Sequence, residues 1–172
     1  MNQAIQIRSA LPSDALAVAQ VHVRSWQVAY RELLPLGYLE SLRPEDRAAR
    51  YDFTHSDPAR PHTRVVTSNG TILGFATTMP ARDPAFPQHG ELCALYVDPH
   101  RWGSGLGVTL IADARDRMTR QGFRYALLWL LDGNARADRF YRNDGWSPDG
   151  ARKRDVIWGI DVEELCYQRS LP

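Results

Sequence analysis

The sequence carries almost no net charge, little cysteine and no long apolar run. Lys and Arg number 21 against 20 Asp and Glu, which leaves a net charge of +1 and a pI near 7.9. That balance gives no electrostatic case for a nucleic acid partner or an anionic membrane surface. The longest strongly apolar stretch, residues 126–131, is far too short to span a bilayer. The opening MNQAIQIRSA lacks the apolar core of a signal peptide. The two cysteines, Cys93 and Cys166, sit in apolar, strand-like runs. They read as buried free thiols, which fits a reducing cytoplasm. His22, His55, His62, His89 and His100 share no spacing that would put ligands on one face, so no metal is expected. Repeats, low-complexity tracts and linkers are missing too. With 172 residues, 44% of them hydrophobic, residues 1–172 read as a single domain with a sizeable core.

The informative stretch is LCALYVDPHRWGSGLGVTLIADARDRM, residues 92–118. Residues 92–97 are a continuous apolar run and read as a buried strand, stopped by Asp98-Pro99. Gly103, Gly105 and Gly107 then alternate with Ser104 and Leu106. After them Leu106, Leu110, Ile111, Ala114 and Met118 recur with helical period. A strand, a glycine-rich turn and a helix follow one another. The first N–H groups of a helix have no partner inside it, and glycines let a ligand come close. Such a turn suits phosphate groups. It is not a Walker loop, because Gly107-Val108-Thr109 lacks the lysine. Its Gly-x-Gly-x-Gly spacing, five residues past the strand, fits a dinucleotide fingerprint poorly. Asp132, at the end of the next strand, keeps that alternative open, as does a plain connection that needs glycine for tight packing.

Around this stretch, residues 4–8 read as a first strand. Pro12-Ser13-Asp14 starts a helix by capping and dipole rules. Its face is Leu16, Ala19, Val23, Trp26 and Tyr30. Two shorter helices are expected over 36–42 and 44–51, and a loop over 55–62. Strands 64–67 and 72–77 flank Asn69-Gly70, a hairpin signal. Residues 80–89 read as a loop. Residues 123–131 are apolar on both faces and read as a central parallel strand. Asn134 then caps a helix over 132–144, and residues 146–147 and 165–169 close the sheet across a basic loop containing Arg152, Lys153 and Arg154. The fold class expected is α/β, a single mixed sheet with helices on both faces.

Asn134 and Tyr141 lie seven residues apart on that helix, close to two turns, so both face one side about 10 Å apart. Ala137 between them leaves room along that side. Alone, Asn134 is a cap and Tyr141 a core aromatic.

Together these residues give the chain a resemblance. Leu95-Tyr96-Val97-Asp98-Pro99 followed by Gly103-Ser104-Gly105-Leu106-Gly107, and Asn134-Ala135-Arg136-Ala137 followed by Phe140-Tyr141 and Gly145-Trp146, resemble the GNAT superfamily of acetyl-coenzyme-A-dependent N-acetyltransferases. Ser25-Trp26-Gln27 and Tyr30 look like one bacterial branch of it. The resemblance implies a GNAT-like sheet that splays between its two parallel strands, residues 92–97 and 125–131. It implies acetyl-coenzyme A as co-substrate, with pantetheine on the backbone around Leu95, Tyr96 and Val97. The pyrophosphate would lie on Trp102, Gly103, Ser104, Gly105, Leu106 and Gly107. Asn134 and Ala137 would lie along the pantetheine, and Tyr141 would face the sulfur. Trp102 stands where relatives often carry Gln or Arg. A small-molecule or peptide amine is the implied acceptor, and a homodimer is compatible with the resemblance. A non-catalytic acetyl-coenzyme A sensor or partner module is the alternative.

The chemistry sets requirements. A lysine-like amine, with a pKa near 10.4, loses its proton at pH 7 at a cost of about 4.6 kcal/mol. A base lowers that cost, and Glu91, at the head of the strand, is the candidate. Strand alternation would put it on one side with Cys93, Leu95 and Val97. Tyr141 is the candidate acid. An unperturbed phenol near 10 would protonate a thiolate near 8.5 at a cost of only about 2 kcal/mol. Trp26, Tyr30 and the stretches 80–89 and 149–155 are expected to line the acceptor pocket, where aromatics suit a cation.

Overall fold

The structure is a computed structural model and describes residues 4–172. The chain runs β1 Ile5–Ser9, α1 Ala15–Ala29, α2 Leu36–Ser41, α3 Pro44–Ala48, β2 His62–Ser68, β3 Thr71–Pro80, β4 His89–Val97, α4 Leu106–Arg120, β5 Tyr125–Leu131, α5 Ala135–Asn143, β6 Ser147–Ile157 and β7 Ile160–Ser170. The strands form one seven-stranded sheet ordered β1-β2-β3-β4-β5-β7-β6. Only β4 and β5 pair in parallel; the other neighbours are antiparallel. No helix of the described residues is long and apolar enough to cross a membrane.

Local sequence accounts for the elements. Asn69 and Gly70 turn the β2–β3 hairpin at φ 49° and 79°, the pair of left-handed residues such a turn needs. The α4 stripe Leu106, Leu110, Ile111, Ala114 and Met118 is buried in a core with Val66, Ala76, Leu92, Leu128 and Trp146. Each large apolar side chain so buried contributes roughly 1.5–3 kcal/mol. On the opposite face α1 sets Val18 and Val21 against Val65 and Phe75. Helices thus cover both faces, as expected.

The end of the chain departs from expectation. Residues 147–170 form one long hairpin, β6 and β7, turned by Trp158 and Gly159 at φ 51° and 79°. Arg152, Lys153 and Arg154 lie on strand β6, not in a loop. β6 is the sheet edge, and charged, solvent-facing residues are how edge strands avoid pairing with other chains. That composition imitates a loop.

Two features of β4 shape the site. Its parallel pairing to β5 comprises only His89↔Tyr125, Gly90↔Ala126 and Glu91↔Leu127; beyond Glu91 the strands part. At the same point Thr78 pairs with Leu92 and Thr77 with Ala94, so Cys93 is an extra residue, a β-bulge that shifts the strand's alternation by one.

Candidate active site

The parting of β4 and β5 opens a cleft of about 1150 Å³ that runs between the sheet faces to the glycine turn. The bulge decides what faces each half. Directly paired residues of neighbouring strands share a face. Glu91, Ala94 and Tyr96 therefore stand with Met79, Thr77 and Phe75, on the side of α1. Leu92, Leu95 and Val97 face α4. The expectation that Glu91 shares a side with Leu95 and Val97 fails, because it counts no bulge. Cys93 is likewise not buried but open at the bulge. The protein around its sulfur pushes the thiol up to about 12. Cys166 is buried, and both thiols are free.

The N–H of Asp98 bonds Leu73 O on the β3 side, so strand alternation turns the N–H and C=O of Leu95 and the N–H of Val97 toward the opening. The Val97 carbonyl is already taken: Trp102 Nε1 donates to it at 2.9 Å and Ser25 Oγ at 3.1 Å. Tyr96 lines the cleft through its side chain. Its backbone faces β3, and its hydroxyl accepts from Trp26 Nε1 at 3.0 Å and lies 3.4 Å from the Tyr30 hydroxyl.

The turn after β4 is open and lined by backbone donors. Gly103 and Gly105 take φ 75° and 83°, and a Cβ on either would meet nothing. The N–H groups of residues 103–108 find no acceptor among the described residues. Together they form an open, donor-lined turn at the head of α4. Gly107 serves packing: a Cβ there would come within 3.2 Å of Phe140 on α5. Ser104 Oγ donates back to Arg101 O and holds the turn. Leu106 is buried in the core. The Trp102 ring, tied inward, carries the Arg136 guanidinium 3.3 Å from its centroid. α5 thus lays a guanidinium over position 102, and burial lowers the Arg136 pKa.

Asn134 caps α5, its Oδ1 accepting from Ala137 N–H at 3.2 Å; its amide NH₂ stays available. Asn134, Ala137 and Tyr141 all line the cleft. Tyr141 is 8% exposed, and its hydroxyl has no hydrogen-bond partner among the described residues. Burial first, then Tyr96 and Asp144, raise its pKa above the ordinary tyrosine value. An unperturbed phenol does not describe it: the group is firmly protonated, and handing its proton to a free thiolate costs more than about 2 kcal/mol.

Glu91 is 3% exposed and clasped. Arg82 reaches Oε1 at 2.5 Å, and the Arg82 Nε and backbone N–H reach Oε2 at 3.3 and 3.1 Å. That bond raises the Arg82 pKa. On the α1 side, Trp26 and Tyr30 line the cleft while belonging to a buried cluster. Of residues 80–89 and 149–155 only Arg82 and Asp155 line it. Their place is taken by Trp158, stacked on Trp26 at 4.2 Å, and Arg47, 4.4 Å over the Trp158 ring. Arg82, Arg136, Trp158 and Glu164 were not legible as site residues. Only the aromatic-glycine pair Trp158-Gly159 carried a turn signal. Among the described residues no cluster of His, Cys, Asp or Glu could hold a metal ion.

A family model described as Acetyltransferase (GNAT) family matches residues 23–146. The chain is 28% identical to YuaI of Bacillus subtilis, an uncharacterised N-acetyltransferase, over 94% of this chain and 90% of the relative. The fold is similar to a GCN5-related N-acetyltransferase from Rhodopseudomonas palustris, at TM-score 0.75 and 24% identity over 99% of each chain. It is also similar to the PaiA N-acetyltransferase from Thermoplasma acidophilum in complex with coenzyme A, at TM-score 0.72 and 20% identity over 97% of this chain and 99% of that one. The chain belongs to the GNAT acetyltransferase family and is an acetyl-coenzyme-A-dependent N-acetyltransferase.

Proposed function

We propose that this protein transfers the acetyl group of acetyl-coenzyme A to a primary amine of a small molecule or peptide, by direct attack within a ternary complex. The observation that carries the reading is the parting of β4 from β5 beyond Glu91, with the partnerless Tyr141 hydroxyl on its wall. The open backbone of Leu95 and the Val97 N–H bond the pantetheine arm. Residues 103–107 and Arg136 hold the pyrophosphate. The Asn134 amide and Ala137 line the arm's other side. The amine enters past Trp26, Tyr30 and Trp158, and its lone pair attacks the thioester carbonyl carbon. As the C–S bond breaks, sulfur keeps the electron pair and takes the Tyr141 proton. Burial keeps that proton in place until the sulfur becomes basic. Glu91 has its lone pairs committed to Arg82, which argues against a proton-accepting role and for one in fixing the mouth of the splay. The test is an acceptor panel of polyamines, amino acids, aminoglycosides and peptides, read by release of free coenzyme A thiol. Turnover of one amine class supports the reading. Tight acetyl-coenzyme A binding with no turnover of any would favour the sensor module.

A further inference from the structure

The mouth of the splay carries a second buried carboxylate. Glu164 on β7 pairs with Leu131 of β5 and Lys153 of β6, beyond the point where β4 leaves β5. It is 6% exposed and lines the cleft with Tyr141. Its Oε2 atom is buried with no hydrogen-bond partner. The contrast with Glu91 is chemical. Glu91 accepts three hydrogen bonds from Arg82. The Lys153 ammonium forms a loose ion pair with that same Glu164 Oε2 at 3.6 Å and is shared with Asp155 at the same distance. It rests over the Trp129 ring, 4.4 Å from its centroid. With no donor inside hydrogen-bond distance and only a shared ammonium at 3.6 Å, that buried oxygen is under-satisfied, which suits a group that receives a proton or an ammonium.

We propose that Glu164 is the carboxylate that takes the proton of the acceptor ammonium at the mouth of the splay. The inference rests on the acetyl-transfer reading above. The charged and titratable groups facing it are Lys153 and Asp155 from β6 and Arg82 from the segment after β3. Tyr30 just past α1 and Tyr96 from β4 complete the set. Glu164, Tyr30, Tyr96 and Tyr141 all line the one cleft. Burial, aided by Asp155 and opposed by Lys153 and Arg82, lifts the Glu164 pKa above its ordinary value. That moves it toward the working pH, where a general base is most effective.

The balance is as follows. R–NH₃⁺ gives one proton to Glu164, leaving R–NH₂ and a neutral carboxyl. Nitrogen attacks the carbonyl carbon, the C–N bond forms and the C–S bond breaks. The leaving sulfur takes the Tyr141 proton, and the second proton shed by nitrogen returns through solvent to Tyr141. Glu164 releases its proton to water, so one H⁺ leaves per turnover.

Glu164→Gln keeps size and removes the base. With the best amine of the panel, kcat/KM at pH 7 should fall at least 10-fold, against the roughly 10²–10⁴ typical of a general base. The loss should shrink as pH rises through the pKa of the amine. If no amine turns over, the slow hydrolysis of bound acetyl-coenzyme A serves as the same comparison with water as acceptor. Carboxyl ¹³C NMR of protein labelled at glutamate should show one signal, absent in Glu164→Gln, that titrates above the ordinary glutamate range. A loss constant from pH 6 to 10, a pH-dependent loss in Glu91→Gln instead, or an ordinary titration of Glu164 would overturn the proposal. Acetyl-coenzyme A should raise the melting temperature of wild type and Glu164→Gln alike. Absence of that shift in wild type would count against the acetyl-transfer reading itself.

Discussion

Replacing Tyr141 by Phe separates catalysis from stability because of how the hydroxyl is placed. The ring is buried in the core with Trp146 and Leu110, and Phe keeps that packing. The hydroxyl makes no hydrogen bond among the described residues, so its removal forfeits none. The hydroxyl oxygen is not among the fully buried atoms left without a partner and opens to the cleft, so Tyr141→Phe should be near neutral for stability. At roughly 2–4 °C per kcal/mol for a chain of this size, the melting temperature should stay within about 2 °C of wild type. Catalysis should suffer. Loss of a general acid at the low end, about 10²-fold in kcat, is about 2.7 kcal/mol of barrier. Because burial raises the Tyr141 pKa, the hydroxyl stays protonated well above neutral pH. The variant's deficit should therefore be flat from pH 6 to 9. The assay is thiol release under saturating acetyl-coenzyme A, with cofactor affinity measured by calorimetry and expected unchanged. A kcat within 2-fold of wild type would reduce Tyr141 to packing. A melting temperature several degrees lower would mean the hydroxyl holds structure.

Glu91→Gln breaks the clasp on Arg82. The Arg82 side chain is 59% exposed, so solvent screens the pair, and the cost should be about 1–2 kcal/mol rather than the 3–5 of a fully buried pair, read as a lower urea midpoint. Glu164→Gln should do the opposite to stability. The raised pKa of Glu164 means that the folded state prefers the neutral carboxyl. Its stabilising contribution is complete at low pH and is lost as pH rises through the folded value. Gln, neutral throughout, should match wild type at pH 4 and equal or exceed its melting temperature at pH 8; a clear loss at pH 8 would contradict this. Arg136→Ala should weaken acetyl-coenzyme A about 10-fold, near the low end of 1.5–3 kcal/mol for a charged hydrogen bond, and should flatten the salt dependence of binding; unchanged affinity would place the guanidinium away from phosphate.

Much of the fold was legible because its signals are local. The α4 period, the Asn69-Gly70 turn and the Asn134 cap each follow from a few adjacent residues, and all appear where expected. The turn of residues 103–107 and the Asn134–Ala137–Tyr141 face were legible for the same reason. What was hidden is non-local. The bulge at Cys93 is one extra residue that only the partner strand reveals, and it reverses the side on which Glu91 stands. β6 hid behind the charges of an edge strand. Arg136 could be placed beside the glycine turn only once α5 was seen to lay it on Trp102. Glu164 read as one of several charges in a closing strand, and its burial depends on the long hairpin and on the parting of β4 from β5.

The central claim is that acetyl-coenzyme A binds in the splay with its pyrophosphate on the open N–H groups of residues 103–107. The most direct measurement is the thermal shift given by acetyl-coenzyme A to wild type and to Gly105→Glu. At 100 times its dissociation constant a ligand stabilises by about 2.7 kcal/mol, or roughly 5–11 °C here. Gly105 sits at φ 83° with open space around its Cα. Glutamate there incurs about 1–2 kcal/mol of left-handed strain and aims a negative charge where phosphate lies. The variant should melt a few degrees lower, keep its far-UV circular dichroism and show no shift with acetyl-coenzyme A. A folded Gly105→Glu protein with the full wild-type shift would contradict the claim.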